Sequence, residues 1–175
     1  MRADELRALQ APLKDRYRRE PASALVTLRA DAALDVAAVS CRVETGQALV
    51  RAGLHPATGG TGQLACSGDL LLQALVACAG VTLRAVATAL EVPVRGGTVR
   101  AEGDLDFRGT LGVSKDVPVG FREIRLRFEL DSDAGPEQLE RLLTLTERYC
   151  VVLQTLRTPP TLSVTQAAAG SGPRA

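Results

Sequence analysis

LACSGDLLLQALVACAGVTLRAVATAL, residues 64–90, reads as a single long helix. Ser67 is suited to cap it, and Asp69 falls in its first turn, where a carboxylate complements the positive end of the helix dipole. From Leu70 onward apolar residues occupy almost every face, so the helix must be surrounded by the rest of its own chain or by a second subunit. A small monomer would struggle to wrap it, so an extensive homodimer interface is expected. In the middle of this greasy run stands Cys78. A buried free cysteine is ordinarily a small hydrophobe, and on its own Cys78 carries no chemistry.

Just upstream, GLHPATGGTG at 53–62 is a loop dense in turn residues and a candidate wall for a site. Gly60 lies in it, and His55 is a candidate substrate contact that reads equally well as a solvated loop residue. Residues 25–50 change to short β-favouring runs, LVTLRA, VAAVSCRVE and ALVRA, with Thr45-Gly46 as the turn of a hairpin between the last two. Residues 3–20 pattern as a charged amphipathic helix carrying Leu6, Leu9, Leu13 and Tyr17. Pro12 predicts an interruption there, because proline inside a helix costs about 3 kcal/mol.

Downstream, Pro93 and Gly96-Gly97 stop the central helix, and TVRAEGDLDFRG and FREIRLRFELDS read as two strands. In the second, Ile124, Leu126, Phe128 and Leu130 alternate with Arg125, Arg127 and Glu129, the period of a sheet with one buried face. Pro136 opens another helix, with Leu139, Leu142, Leu143 and Leu145 on one stripe. It is predicted to continue with a bend through ERYCVVLQTLR to Pro159-Pro160. TLSVTQ reads as a last strand and AAAGSGPRA as a disordered tail. The order predicts an α+β fold, antiparallel sheets around a buried cysteine-bearing helix. Residues 1–22 form a helical extension, 23–166 one domain and 167–175 the tail.

Composition narrows the function. At 175 residues and 46% apolar the chain suits one domain. Its 21 basic and 20 acidic side chains nearly cancel, leaving no field that favours nucleic acid or an anionic membrane. The charged amino terminus lacks the apolar core of a secretory signal, so the expected address is cytoplasmic. The uncharged apolar run Leu70–Leu83 ends at Arg84, short of the ~18 residues that mark a membrane span. Cys41, Cys66, Cys78 and Cys150 are too few and too irregular for a disulfide scaffold. With no C-x-x-C and a single histidine, no zinc site is expected, and the glycine loop lacks the G-K-S/T ending of a nucleotide grip. No cofactor or metal is expected.

A glycine loop, then SGDLLLQALVAC within an apolar helix, then a second cysteine in ERYCVVLQTL about seventy residues on, resembles the OsmC/Ohr family, the osmotically induced and organic hydroperoxide resistance proteins. The likeness runs from about residue 40 to 166 and leaves out the helix at 3–20. It implies a thiol peroxidase acting on organic hydroperoxides in an intertwined homodimer. Cys78 falls on the family's peroxidatic position and Cys150 on its resolving position. Arg51 in ALVRAG matches the OsmC branch's active-site arginine, with Arg42 and Arg29 as alternatives, and Asp69 falls where many members have glutamate. The candidate substrate contacts are His55, Gly60, Leu71, Leu75 and Tyr149. The reductant the resemblance implies is an external dithiol such as a lipoyl-bearing protein.

The chemistry has a physical logic. The nucleophile is a thiolate, and an ordinary thiol has pKa ≈ 8.5, higher when desolvated. Cys78 lies too far inside its helix to benefit from the dipole of that helix, so a guanidinium oriented by Asp69 is the expected activator. Departures near the motif (Asp69 for glutamate, Ser67 for proline, Val151 for proline) leave a redox sensor, a catalytically weak module or a binder of small apolar ligands as alternatives. Cys41 and Cys66 read as structural.

Overall fold

The computed structural model describes residues 3–34, 41–43 and 53–166. Helix α1 (Ala3–Arg19) leads through a 3₁₀ turn at Pro21–Ala24 into β1 (Leu25–Leu34) and β2 (Cys41–Val43). After the glycine loop come α2 (Ser67–Ala89), β3 (Gly96–Asp106), the short α3 (Phe107–Thr110), β4 (Phe121–Asp131), α4 (Pro136–Tyr149) and α5 (Val151–Arg157). The expected hairpin at Thr45-Gly46, the ALVRA strand with Arg51, and the tail all lie outside the described residues.

Among the described residues the strands form one antiparallel sheet in the order β2-β1-β3-β4. Helix α2 packs on β1 and β3 on one side and on α4 and α5 on the other. Its Leu72, Leu75, Val76, Ala79 and Leu83 are fully buried with Val99 and Ala101 of β3 and Leu142 of α4. Burying a leucine side chain contributes on the order of 1.5–3 kcal/mol, so α2 is the spine of the core. At 23 residues α2 is long and apolar enough to cross a membrane, which corrects the length read from its uncharged run alone. The sheet and helices packed on it give it the place of a core helix.

The encirclement foreseen for α2 is incomplete within one chain. Leu71 and Val81 are 36% and 41% exposed, and Ala74 and Ala85 on the same stripe are exposed too. The period of two in β4 holds, with Ile124, Leu126, Phe128 and Leu130 half-buried against the core. On its other face Arg125 makes a two-pronged ion pair with Asp104 at 2.6 and 3.1 Å.

Four sequence expectations are corrected. Helix α1 runs unbroken through Pro12, which is exposed, so the carbonyl it leaves without a partner can be hydrated. The amino-terminal cap of α2 is Cys66 and Ser67 is the first helical residue, so no side chain caps that end. FRG leaves the strand, because the Asp106 carboxylate accepts the Arg108 amide at 3.1 Å and turns the chain into α3. Residues 161–166 are not a strand; Leu162 and Val164 are 83% and 98% exposed. Alternation supplies β-propensity, but a strand needs a partner to bond to.

Candidate active site

The expected bend between the two carboxy-terminal helices is a full break, and Cys150 is the break. Its backbone, at φ −72° and ψ 104°, is extended, ending α4 and starting α5. The Cys150 amide donates to Thr146 O at 2.9 Å, closing α4, and its carbonyl accepts from Gln154 N at 2.9 Å, opening α5. The side chain is fully buried, turned toward α2.

This break brings the two predicted thiols together. Burial pushes the Cys78 thiol up, but hydrogen bonds from the Val152 amide, the Cys150 thiol, the Thr82 hydroxyl and the Val151 amide outweigh it, and the net direction is below the ordinary thiol value. Cys150 goes the other way, to about 11, chiefly by burial and also because its proton is donated to Cys78. The two titrate as a pair, and Cys78 is the member that ionises first. Cys66, Cys78 and Cys150 are all free thiols.

Amides at the head of α5 therefore supply part of the activation that the sequence reading assigned to a guanidinium. They were missed because nothing in ERYCVVLQTLR, with neither glycine nor proline, marks a helix start at Val151. Thr82 had a signal: it follows Cys78 by four residues, which on a helix places the two side chains one turn apart on the same face.

Asp69 is not brought to the thiol. Nine residues of α2 separate it from Cys78, a rise of about 13 Å and two and a half turns. Burial raises its carboxyl, and the charge His55 can carry offsets that in part. Arg51, the proposed link between carboxylate and thiol, lies outside the described residues. Arg29 and Arg42 stand on β1 and β2, which pack on α2.

His55 is fixed by its own loop. Its Nδ1 accepts the Ala57 amide at 3.0 Å, and its ring stacks on Phe107 with centroids 4.9 Å apart. Phe107 is held in turn by the buried Asp106–Arg108 pair, in which the guanidinium keeps the carboxyl below its usual range. From outside, α1 braces the same loop: Tyr17 is fully buried and donates its hydroxyl to Ala57 O at 2.6 Å. Gly60 belongs to the loop's closure, since a Cβ there would fall 1.7 Å from Leu54 O.

Leu71 and Leu75 line a groove of about 860 Å³ with Phe121, Ile124, Leu126 and Phe128 of β4, Leu143 of α4, and Leu153 and Leu156 of α5. Both leucines precede Cys78 on its side of α2, but neither Cys78 nor Cys150 lines the groove. Tyr149 does not join them. It is 56% exposed, with the Arg148 guanidinium over its ring, in a second hollow with Val151 and Pro160. Among the described residues no group of three or more histidine, cysteine, aspartate or glutamate side chains is placed to hold a metal ion.

The family model described as OsmC-like protein matches residues 60–165, more than half the chain, and leaves α1 outside. The fold is similar to that of an OsmC-like hydroperoxide resistance protein from Jannaschia sp. CCS1, with TM-score 0.59 and 20% identity over 83% of this chain and 95% of that one. It is similar also to an OsmC-like protein from Mycoplasma pneumoniae, with TM-score 0.55 and 18% identity over 77% of this chain and 86% of that one. No curated protein matches the sequence.

Proposed function

The chain belongs to the OsmC-like protein family, and from that premise we propose that it reduces organic hydroperoxides to alcohols by a two-cysteine cycle. The observation that carries the reading is the unequal pair: Cys78 lowered below the ordinary thiol value by its hydrogen bonds, and Cys150 beside it raised to about 11, chiefly by burial. The Cys78 thiolate attacks the terminal peroxide oxygen. A sulfur–oxygen bond forms, the O–O bond breaks, and the alkoxide leaves and takes a proton to become the alcohol. Sulfur is oxidised to sulfenic acid. Cys150 then attacks that sulfur, forming the disulfide and releasing hydroxide, which leaves as water with the Cys150 proton. An external dithiol, such as a lipoyl-bearing protein, reduces the disulfide and resets both thiols.

The groove through Leu71 and Leu75 would hold the organic tail, each buried CH₂ contributing about 0.8 kcal/mol. Cumene hydroperoxide should therefore be reduced at least about tenfold faster than hydrogen peroxide at equal concentration, with dihydrolipoamide as reductant. Equal or faster turnover of hydrogen peroxide, or none of either, would sink the assignment.

The working form is proposed to be a homodimer. Support comes from the uncovered stripe of α2, where Leu71, Ala74, Val81 and Ala85 flank the reactive Cys78. An exposed apolar stripe on a core helix is a face that awaits a partner. Sedimentation at micromolar concentration is expected to give a single dimeric species. A monomer would count against it.

A further inference from the structure

A histidine in a solvated loop needs nothing to hold it, yet His55 is held at its carbonyl, at one ring nitrogen and on one ring face. The carbonyl accepts from Thr58 N at 2.8 Å, the Thr58 hydroxyl at 2.9 Å and Gly60 N at 3.1 Å, which closes the turn. The ring is half-buried and stacks on the buried Phe107. An amide nitrogen always carries its hydrogen, so the Ala57 N–H that meets Nδ1 at 3.0 Å finds a lone pair there, and the proton of the neutral imidazole is on Nε2. Among the described residues no hydrogen bond engages Nε2.

Helix α1 fastens this turn to the body of the fold. Tyr17 is fully buried in the core and donates to Ala57 O at 2.6 Å, while Gln10 Nε2 donates to Thr58 O at 3.4 Å, so two residues of α1 grip consecutive carbonyls of the turn. Neither α1 nor the turn falls within the residues that the family model matches. Resting on the peroxidase reading, we propose that Tyr17 is a positioning residue: through Ala57 it sets His55 as a neutral imidazole whose Nε2–H is a hydrogen-bond donor to an oxygen of the bound substrate. The half-buried ring, pinned at one nitrogen and unengaged at the other, is set to meet a ligand. The amino-terminal helix is then part of the substrate site.

The first arm of the test needs no peroxide. His55 is the one histidine of the chain, so NMR of the untagged, nitrogen-labelled, full-length protein reads its ring nitrogens without ambiguity at about pH 8, above the ordinary histidine range. The parent protein should show a bare Nδ1 and a protonated Nε2. Cumyl alcohol, the product of cumene hydroperoxide, should move the Nε2–H signal saturably and leave Nδ1 bare. Tyr17→Phe keeps the ring in the core and loses the hydroxyl. It should weaken that response and let the Ala57 amide exchange with solvent about tenfold faster, with the amides of β3 changed less. KM for cumene hydroperoxide should rise about threefold or more, with kcat within about twofold of the parent. His55→Ala should raise KM at least as far, and Tyr17→Phe in that background should add nothing, the mark of a residue acting through another. Gln10→Ala, which removes the other bond from α1, should act in the same direction more weakly, and it is the second variant should Tyr17→Phe fold poorly.

A protonated Nδ1 in the parent protein, or an Nε2–H signal that ignores cumyl alcohol, would overturn the proposal. So would additive effects of Tyr17→Phe and His55→Ala, or an equal acceleration of exchange in β3, each of which assigns Tyr17 to packing. If the parent protein turns over no peroxide while cumyl alcohol still moves Nε2–H and Tyr17→Phe weakens that response, the peroxidase reading falls and the positioning of His55 as a ligand donor stands.

Discussion

Cys78→Ser is expected to abolish organic-peroxide consumption, a fall on the order of 10³ or more. The site lowers the thiol of Cys78 by donors that bond its anion, and those donors cannot make an alkoxide of serine at neutral pH. A neutral hydroxyl is a far poorer nucleophile than a thiolate. The fold should survive, because Cys78 is half-buried and serine is the smaller side chain. In the unsubstituted protein the rate of the first oxidation should rise with pH and level off below the range of an ordinary thiol, since only the ionised form reacts and its ionisation is shifted down. Stopped-flow measurement of one peroxide equivalent reads both results. Retained turnover in the serine variant would remove the mechanism.

The course of the chain is legible where one physical signal dominates. Helix α2 is written in its apolar run with Asp69 in the first turn, β4 in the alternation from Ile124 to Leu130, and the start of α4 in Pro136. Local signals fail where tertiary contacts decide. Val151 to Arg157 has the composition to continue α4 as one rod, but the chain breaks at Cys150 so that the thiol points at α2 and the Val151 and Val152 amides reach Cys78. Extending α4 would leave those amides bonded within the helix. Asp106 is the opposite case: a carboxylate two residues before an amide it can accept is a local turn signal, overlooked because the preceding strand pattern ran into it.

The site divides along the same line. The motif around each cysteine singles it out in the sequence, and the fold sets the two side by side. What could not be read was the environment of each sulfur, because the donors to Cys78 come from positions 82, 150, 151 and 152 and only the fold assembles them. Tyr17 was read as part of an amphipathic stripe, but its burial and its bond to Ala57 O tie the extension to the loop that carries His55.

Cys150→Ser should separate the two halves of the cycle. Serine at this position can still donate a hydrogen bond to Cys78, so the first oxidation should proceed within about threefold of the parent rate. What it cannot do is attack the sulfenic acid. The variant should therefore consume about one peroxide per site and then stop when no external thiol is present, leaving Cys78 as sulfenic acid trappable by a sulfenate-selective reagent. With excess peroxide the same sulfur should advance to sulfinic acid, whereas in the parent protein the proposed closure of Cys150 on it should prevent that fate. Alanine at the same position removes the donor as well, and it should slow the first step more than serine does. Mass spectrometry of the peptides carrying Cys41, Cys66, Cys78 and Cys150 decides the matter. If peroxide joins Cys41 to Cys66 in the parent protein, or if Cys150→Ser accumulates no oxidised Cys78, Cys150 is not the resolving thiol and its burial against Cys78 is packing alone.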